Sequence, residues 1–358
     1  MLYLILGSAL IFTVLWEAFE TIVLPRRVRR RVRLTRLYYR GTWMPWSAIV
    51  RRIRSKQRQE SLLAYYGPLS LLGLLAMWAA ALVFGFAAIE YGIGSPIRAA
   101  GEPSGFVLDL YFSGTTLFTL GLGDVTPSTW PARVLDVVEA GIGFGFLAIV
   151  IGYFPVLYQS FSRREVIISM LDARAGTPPT AGELLRRHAQ AGMLDGLDSL
   201  LRDWESWSSE LLESHLSYPV LGYFRSQHDN QSWLGALTTI LDASALVMAG
   251  IKGRSPVQAR LTFAMARHAV VDLSQVFNTE PKTDNLNRLD AEGLSRLHSA
   301  LRASGMEPDD PEGQRLAHLR HMYEPYVDAL ANYLQMTLPP WIPPSSQKDN
   351  WQTSAWEV

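Results

Sequence analysis

The 358-residue chain has no cysteine. A disulfide framework, a thiolate metal site and a cysteine nucleophile are therefore excluded. Charge is also scarce: Asp, Glu, Lys and Arg make up 18% of the residues, against roughly 25% in soluble domains. Net charge is absent, with 33 basic and 33 acidic residues, and no nucleic-acid partner is expected. No internal repeat, no alternating strand pattern and no Gly-rich βαβ signature stands out. The length allows two or three domains of roughly 100–200 residues each.

The zero net charge hides a segregation. From Arg26 to Glu60 there are 13 basic residues and one acid. From Glu165 to Val358 there are 16 basic and 24 acidic residues. A greasy half with a basic stretch and a polar, acidic half predict a membrane protein with one cytoplasmic domain.

Three stretches are apolar enough to cross a bilayer, which takes about 20 residues. They are Leu2–Leu24, interrupted by Glu17 and Glu20, then Leu69–Ile89, then Ala140–Tyr158. The first has no basic n-region and no Ala-x-Ala cleavage pattern, so it reads as a spanning anchor. By the positive-inside rule the basic loop is cytoplasmic, Gly92–Leu108 is external, and everything after the third span is cytoplasmic. The expected location is the plasma (inner) membrane. Arg27, Arg30, Arg33 and Arg36 recur every third residue, but Arg29 and Arg31 fill the gaps. That favours a polybasic segment, with Arg26–Arg36 touching anionic headgroups, over a voltage sensor. Attraction between this segment and the acidic domain is a further expectation.

Between the second and third spans runs Leu108-Asp-Leu-Tyr-Phe-Ser-Gly-Thr-Thr-Leu-Phe-Thr-Leu-Gly-Leu-Gly-Asp-Val-Thr-Pro127. Its first part suits a short helix. Its second part has glycines too closely spaced for a helix interior and is too apolar for a free loop. A half-helix entering from outside, followed by an extended return, accounts for both. Glycines at alternate positions permit dihedrals that aim successive carbonyls at one axis, where they replace the hydration shell of a cation. One chain supplies one such loop, so a ring requires a symmetric homo-oligomer.

The segment Thr119-Leu120-Gly121-Leu122-Gly123-Asp124 resembles the filter of potassium channels with two helices around a pore loop, which reads Thr-Val-Gly-Tyr-Gly-Asp. Thr115-Thr116 and Pro127 are similar to that pattern too. The resemblance spans roughly Leu69 to Arg164 and is of bacterial type. It implies a homotetramer, Pro131–Phe161 as inner helix, Gly143 as a hinge glycine and Pro155 as a kink near the inner end. No cofactor is implied beyond K⁺ as the transported ion. Leu120 replaces Val, whose role is a backbone carbonyl. Leu122 keeps the bulk of the family's aromatic but loses its hydrogen bond. A non-selective cation channel is the alternative, as is a membrane sensor or scaffold whose pore region is structural. Tyr111 and Phe112 are candidates for packing against the filter.

The third span is extendable back past Glu139 to about Pro131, and an acid within it suggests function, either supporting the filter or shaping the cavity field. A plain partner for a hydroxyl is the alternative. Asp136 is nearer the outer interface. Gly141, Gly143 and Gly145 fail the dinucleotide fingerprint, because no strand precedes them and Phe146 follows. His318, His321 and Glu324 share a helix face but lack a further ligand, so no metal is expected. His215, Tyr218-Pro219 and Tyr223-Phe224-Arg225 form a junction without a nucleophile–base pair, and no enzymatic activity is expected.

The expected fold class is all-α: three transmembrane helices and a re-entrant loop, plus a helical cytoplasmic domain. The divisions are a first helix over 1–24, a basic loop over 25–61, a pore module over 62–164, a helical domain over 165–337 and a Pro-rich tail over 338–358, extended or disordered. Helices are expected over Ala181–Ala191, Leu194–Leu216, Trp233–Ile251, Val257–Phe277, Leu289–Ala303 and Gln314–Met336. Trp233–Ile251 reads as a buried helix, with a fourth span as the alternative.

Overall fold

A computed structural model describes residues 1–24, 33–99, 103–192, 196–228, 230–281, 288–343 and 349–352. The chain is nearly all-α and divides into two units, Met1–Tyr158 and Gln159–Val358. Most of the Arg26–Arg36 cluster, residues 26–31, lies outside the described residues.

In the first unit, α1 (Leu2–Ala18) ends in a π-helical turn, Phe19–Val23. It packs on α3 (Lys56–Gly92) through small residues. A Cβ on Gly7 would meet the carbonyl of Gly85 at 2.5 Å, so the two backbones approach as closely as glycine permits. Within the stretch read as a basic loop lies a further helix, α2 (Leu34–Val50). Its charges and Pro45 mask its periodicity in the sequence. Its aromatic face seats on α3. The Tyr38 hydroxyl donates to the Ser70 carbonyl (3.0 Å), the Trp46 indole to Leu62 (3.2 Å), and Trp43 meets Tyr66 edge-on at 4.7 Å.

Two buried acids close the junction between α1 and α2. Glu17 accepts from the backbone N and the hydroxyl of Thr35 (3.1 and 2.9 Å), capping the first turn of α2. The amides there have no partner within the helix. Glu20 accepts from the Trp16 indole (2.8 Å) and lies 3.9 Å from Arg33. The helix α3 begins at Lys56, six residues before the expected start of the pore module, because Ser55 caps it. Its 37 residues span roughly 55 Å.

The last long helix, α5 (Trp130–Ala175), contains Pro155 and runs on past 164, so its later turns belong to the second unit. Four helices among the described residues are long and apolar enough to cross a membrane. They are α1 with its π turn, α3, α5 and α8 (Trp233–Gly250).

The second unit is built around α8, whose most apolar stretch is 89% buried inside the fold. Ser232 caps it by accepting from the Gly235 amide (2.9 Å). Around it lie α6 (Ala181–Gln190), α7 (Leu197–Ser217) and α9 (Val257–Phe277), with α10 (Ala291–Ala303) packed on α6. The expected helix Gln314–Met336 is two helices, α11 (Gln314–His321) and α12 (Glu324–Leu334). Pro325, with no amide to donate back to His321, breaks it.

A buried polar network pins these helices. Arg288 donates to Asp242 on α8 (2.5 Å) and to Glu324 (3.2 Å), and the Tyr323 hydroxyl donates to Asp242. Burial and the Asp242 charge push the Tyr323 phenol well above its ordinary pKa, which keeps it a donor. Glu324 also takes Arg320 (3.1 Å). The three residues once weighed as metal ligands do not converge: no metal-holding group of three or more acids and histidines occurs among the described residues.

The described parts of the tail, expected to be extended or disordered, are pinned to the second unit. Trp341 is buried under the guanidinium groups of Arg288 and Arg320, with ring distances of 5.7 and 5.6 Å, and its carbonyl accepts from the Gly182 amide (3.0 Å). Further on, Asp349 pairs with Arg187 (2.7 Å). A second knot holds Arg164. It donates to the carbonyls of Leu221 (2.9 Å) and Phe224 (3.0 Å) and faces Nε2 of buried His215 at 3.3 Å. The junction read at 215–225 is thus the seat of Arg164.

Candidate functional site

The site lies between α3 and α5. A half-length helix, α4 (Phe106–Leu117), buries Leu108, Phe112 and Leu117. It stops because Thr119 takes a left-handed backbone, φ +57°. The Leu120 amide then reaches back to the Thr115 carbonyl (2.8 Å) and the Thr119 amide to Thr116 (2.9 Å). This is the six-to-one closure that satisfies terminal carbonyls.

Beyond the stop, every second residue is left-handed: Thr119 at +57°, Gly121 at +55° and Gly123 at +79°. Glycine tolerates this region freely, whereas a β-branched Thr seldom enters it. The chain then returns as β2 (Val125–Pro127), antiparallel to β1 (Ile97–Ala99), with Ile97 opposite Pro127 and Ala99 opposite Val125. These strands lie outside the expected all-helical description of this region. At three residues each they are too short to show alternation. Ile97, Leu108, Phe112 and Val125 form a buried cluster beneath. The segment after α4 is therefore held at one end by a helix stop and at the other by a strand pair. Residues 118–124 are exposed, with Leu120 at 61% and Leu122 at 62%.

Five polar contacts fix α4 and the return strand. The Tyr111 hydroxyl donates to Asp124 Oδ2 at 2.8 Å. The Thr116 hydroxyl donates to Asp136 (2.9 Å), and that of Ser95 to buried Asp109 (2.6 Å). The Ser113 hydroxyl sits between the Val83 carbonyl (3.0 Å) and Glu139, which is fully buried. The sequence reading located Glu139 but not its partner, and it missed Glu90 near the end of α3 and Asp109 on α4, both fully buried, and the Tyr111–Asp124 bond. An acid at the end of an uncharged run and another inside an apolar half-helix were the available signals for Glu90 and Asp109.

Gly143 lies against the stop of α4. A Cβ there would come within 1.9 Å of the Leu117 carbonyl oxygen. Gly141 and Gly145, by contrast, have open space beside them. Pro155 lies within α5, which continues through it. An apolar hollow of about 550 Å³ runs along α3, α4 and α5, lined by Ala79, Val83, Leu117, Phe146 and Val150 with Thr119 at its polar edge.

Residues 74–159 match the model of a protein family described as "Ion channel". The match indicates an ion-channel module over the segment that contains α4 and the turn-back after it. A curated protein of Bacillus subtilis (strain 168), the uncharacterized membrane protein YdjJ, is 24% identical over 193 residues. That alignment covers 53% of this chain and 55% of the relative, so the chain spans about half the length of the protein it matches. No solved structure matches. A membrane location follows from the similarity and the apolar helices together.

Proposed function

We propose that the chain is a subunit of a homotetrameric potassium-conducting channel in the plasma membrane, with α1, α3 and α5 as spans and the second unit cytoplasmic. Ions pass beside the backbone carbonyls of Thr119 to Gly123. The observation that carries this reading is the alternation of left-handed residues at 119, 121 and 123 in an exposed segment anchored at both ends. Alternation of this kind turns successive carbonyls toward one side, where they can coordinate a dehydrated cation. The carbonyl end of α4, with its partial negative charge, lies at the start of the segment. Asp124 closes its outer end. The process is passive conduction and requires no cofactor and no catalytic step.

One observation favours a second reading. Leu122 has no hydrogen-bonding group, and Asp124 at the outer end is held by the Tyr111 hydroxyl (2.8 Å) and the Val125 amide (3.1 Å). A filter so braced at one end is a candidate for weaker discrimination between K⁺ and Na⁺. Purified protein in liposomes tests both: K⁺ flux well above Na⁺ flux is expected, equal fluxes identify a non-selective cation channel, and no flux from intact tetramers leaves a sensor or scaffold. Gly143 at the α4 stop and Pro155 farther along α5 are the proposed positions where α5 bends in gating.

A further inference from the structure

The end of α5 and the last described residues of the chain meet within the second unit. The helix stops at Ala175, where Gly176 turns left-handed at φ +82°. Carbonyls in such a last turn have no partner within the helix. One of them, on Ala173, accepts from the guanidinium of Arg187 on α6 (2.8 Å). Arg187 also donates to Glu183 on its own helix (2.6 Å). Its two terminal nitrogens face Asp349, 162 residues further along the chain, with Nη1 on Oδ2 at 2.7 Å and Nη2 on Oδ1 at 3.1 Å. Two parallel bonds between guanidinium and carboxylate are the strong form of this pair. Beside it the Trp351 amide donates to the Asp172 carboxylate (3.2 Å), and the Asn350 amide to the Thr177 hydroxyl (3.2 Å). Residues 349–352 therefore grip the turn between α5 and α6 from both sides.

This grip differs in kind from the other tail contact. Trp341 is 2% exposed and holds the tail by burial. In residues 349–352 the buried side chain is the Asp349 carboxylate. Trp351 is 64% exposed, and its indole N–H folds back onto Asp349 (3.0 Å). The segment buries no apolar side chain, so polar bonds alone hold it. A segment held in that way opens locally at low cost. The seat at Trp341, a short way back along the chain, keeps the released end at an effective concentration on the order of millimolar. It therefore recloses readily.

We propose that residues 349–352 are a releasable latch, closed by the Asp349–Arg187 pair, that fixes the end of α5 to α6 and loosens as ionic strength rises. Salt screens the pair and weakens it. Opening leaves Arg187 with Glu183 and the Ala173 carbonyl, so the fold survives release. In the channel reading α5 is the helix that bends, so a latch on its end acts on gating. That consequence rests on the proposed function, whereas the latch itself does not.

Hydrogen exchange of the whole protein, read by mass spectrometry over residues 172–180, tests the latch. The amides of Gly176 and Thr180, bonded to Asp172 and Ala175, report on the end of α5. Asp349→Ala and a chain ending at Pro343 should each exchange there about tenfold faster than the parent, the loss expected for hydrogen bonds to a charged group. High salt should move the parent toward them. Residues 233–250, in the buried α8, should exchange at the parent rate in both variants, which shows that the fold is intact. Trp351→Ala should leave residues 172–180 as slow as in the parent, because its backbone amide, not its ring, makes the bond to Asp172.

Equal exchange in the parent, Asp349→Ala and the shortened chain would overturn the latch. Acceleration by Trp351→Ala as large as by Asp349→Ala would overturn the ion pair as what closes it, and exchange in the parent that ignores salt would overturn the response to ionic strength. In liposomes the K⁺ flux of the shortened chain should differ severalfold from that of the parent. Equal flux together with faster exchange overturns the gating role and leaves the latch standing. The exchange readout needs no flux, so failure of the channel reading is separately visible.

Discussion

The helices α5 and α8 are both apolar and long enough to cross a membrane, yet the chain treats them oppositely. The most apolar stretch of α5 is 11% buried by the protein itself, and that of α8 is 89% buried. Along α5, Val137, Phe144, Leu147 and Ile151 are all more than half exposed. A monomer in water does not present so long an apolar face, so lipid or further copies of the chain must cover it. Along α8 the cover comes from α6, α7, α9, α11 and α12 of the same chain, and its one acid, Asp242, has an arginine of its own. Length and composition set both helices apart from the rest. Only burial tells which of them the fold completes unaided.

The sharpest way to test the contrast is at Gly143, because α5 meets its own chain tightly there. A methyl group would sit 1.9 Å from the Leu117 carbonyl oxygen, and a carbonyl cannot rotate away as a side chain can. Gly143→Ala should abolish flux from liposomes and disrupt assembly, measured by efflux and by the mass of the purified particle. Gly145→Ala, with open space beside it, should retain both. Equal behaviour of the two variants would remove the steric argument.

Within the second unit the corresponding lever is Arg288, held by Asp242 and Glu324. Arg288→Met leaves Asp242 buried with the Tyr323 hydroxyl as its remaining partner. Removing one member of a buried pair costs about 3–5 kcal/mol. Chemical denaturation of the full chain, followed by tryptophan fluorescence, should show that loss. The double variant with Asp242→Met should recover part of it, since an apolar pair of similar volume avoids the stranded charge.

A smaller, pH-dependent effect should come from His215. Burial, then the neighbouring Arg164 charge, hold its pKa well below the ordinary imidazole value. Its Nε2 faces an Arg164 donor and its Nδ1 the Leu211 carbonyl (2.8 Å), which fits a neutral ring protonated on Nδ1. The unfolded chain binds a proton below about pH 6.5 while the folded chain does not. Stability is therefore complete above that pH and falls by about 1.4 kcal/mol per unit below it, until the folded pKa is reached. His215→Gln should flatten this part of the profile, and an unchanged slope would assign it to other groups.

How much of this was legible in the sequence depended on the range of the interaction. Apolar run length placed α1, α3 and α5, and the glycine spacing placed the turn-back after α4, because both are local signals. Val257–Phe277 was read to the residue, since Pro256 precedes it and Asn278 ends it left-handed. The pair β1–β2 was invisible, because a three-residue ladder has no period. The seat of α2 depends on Ser70 and Leu62, the cap on it comes from Glu17, and the burial of Trp341 comes from Arg288 and Arg320. None of these partners is near in sequence, so no window along the chain contains both members. Glu139 was conspicuous as an acid in an apolar run, but Ser113 as its partner was not.

The smallest effect expected is at Tyr111, and it bears directly on what the exposed face of the first unit does. Tyr111→Phe removes one hydroxyl that donates to Asp124 and leaves the ring in place. A hydrogen bond to a charged group contributes about 1.5–3 kcal/mol when sheltered. Both partners here are exposed, so about 1 kcal/mol is the more suitable figure. Assembly and global stability should be unchanged, because no buried group loses a partner. The outer end of the proposed filter, however, would lose the hydroxyl that holds Asp124 from α4, and Leu122 supplies no hydrogen bond in its place. The K⁺-to-Na⁺ flux ratio should fall severalfold in Tyr111→Phe relative to the parent. Asp124→Asn, which keeps an acceptor for the same hydroxyl, should fall less. If the ratio is the same in all three proteins, the brace plays no part in discrimination, and selectivity would rest on the backbone alternation alone.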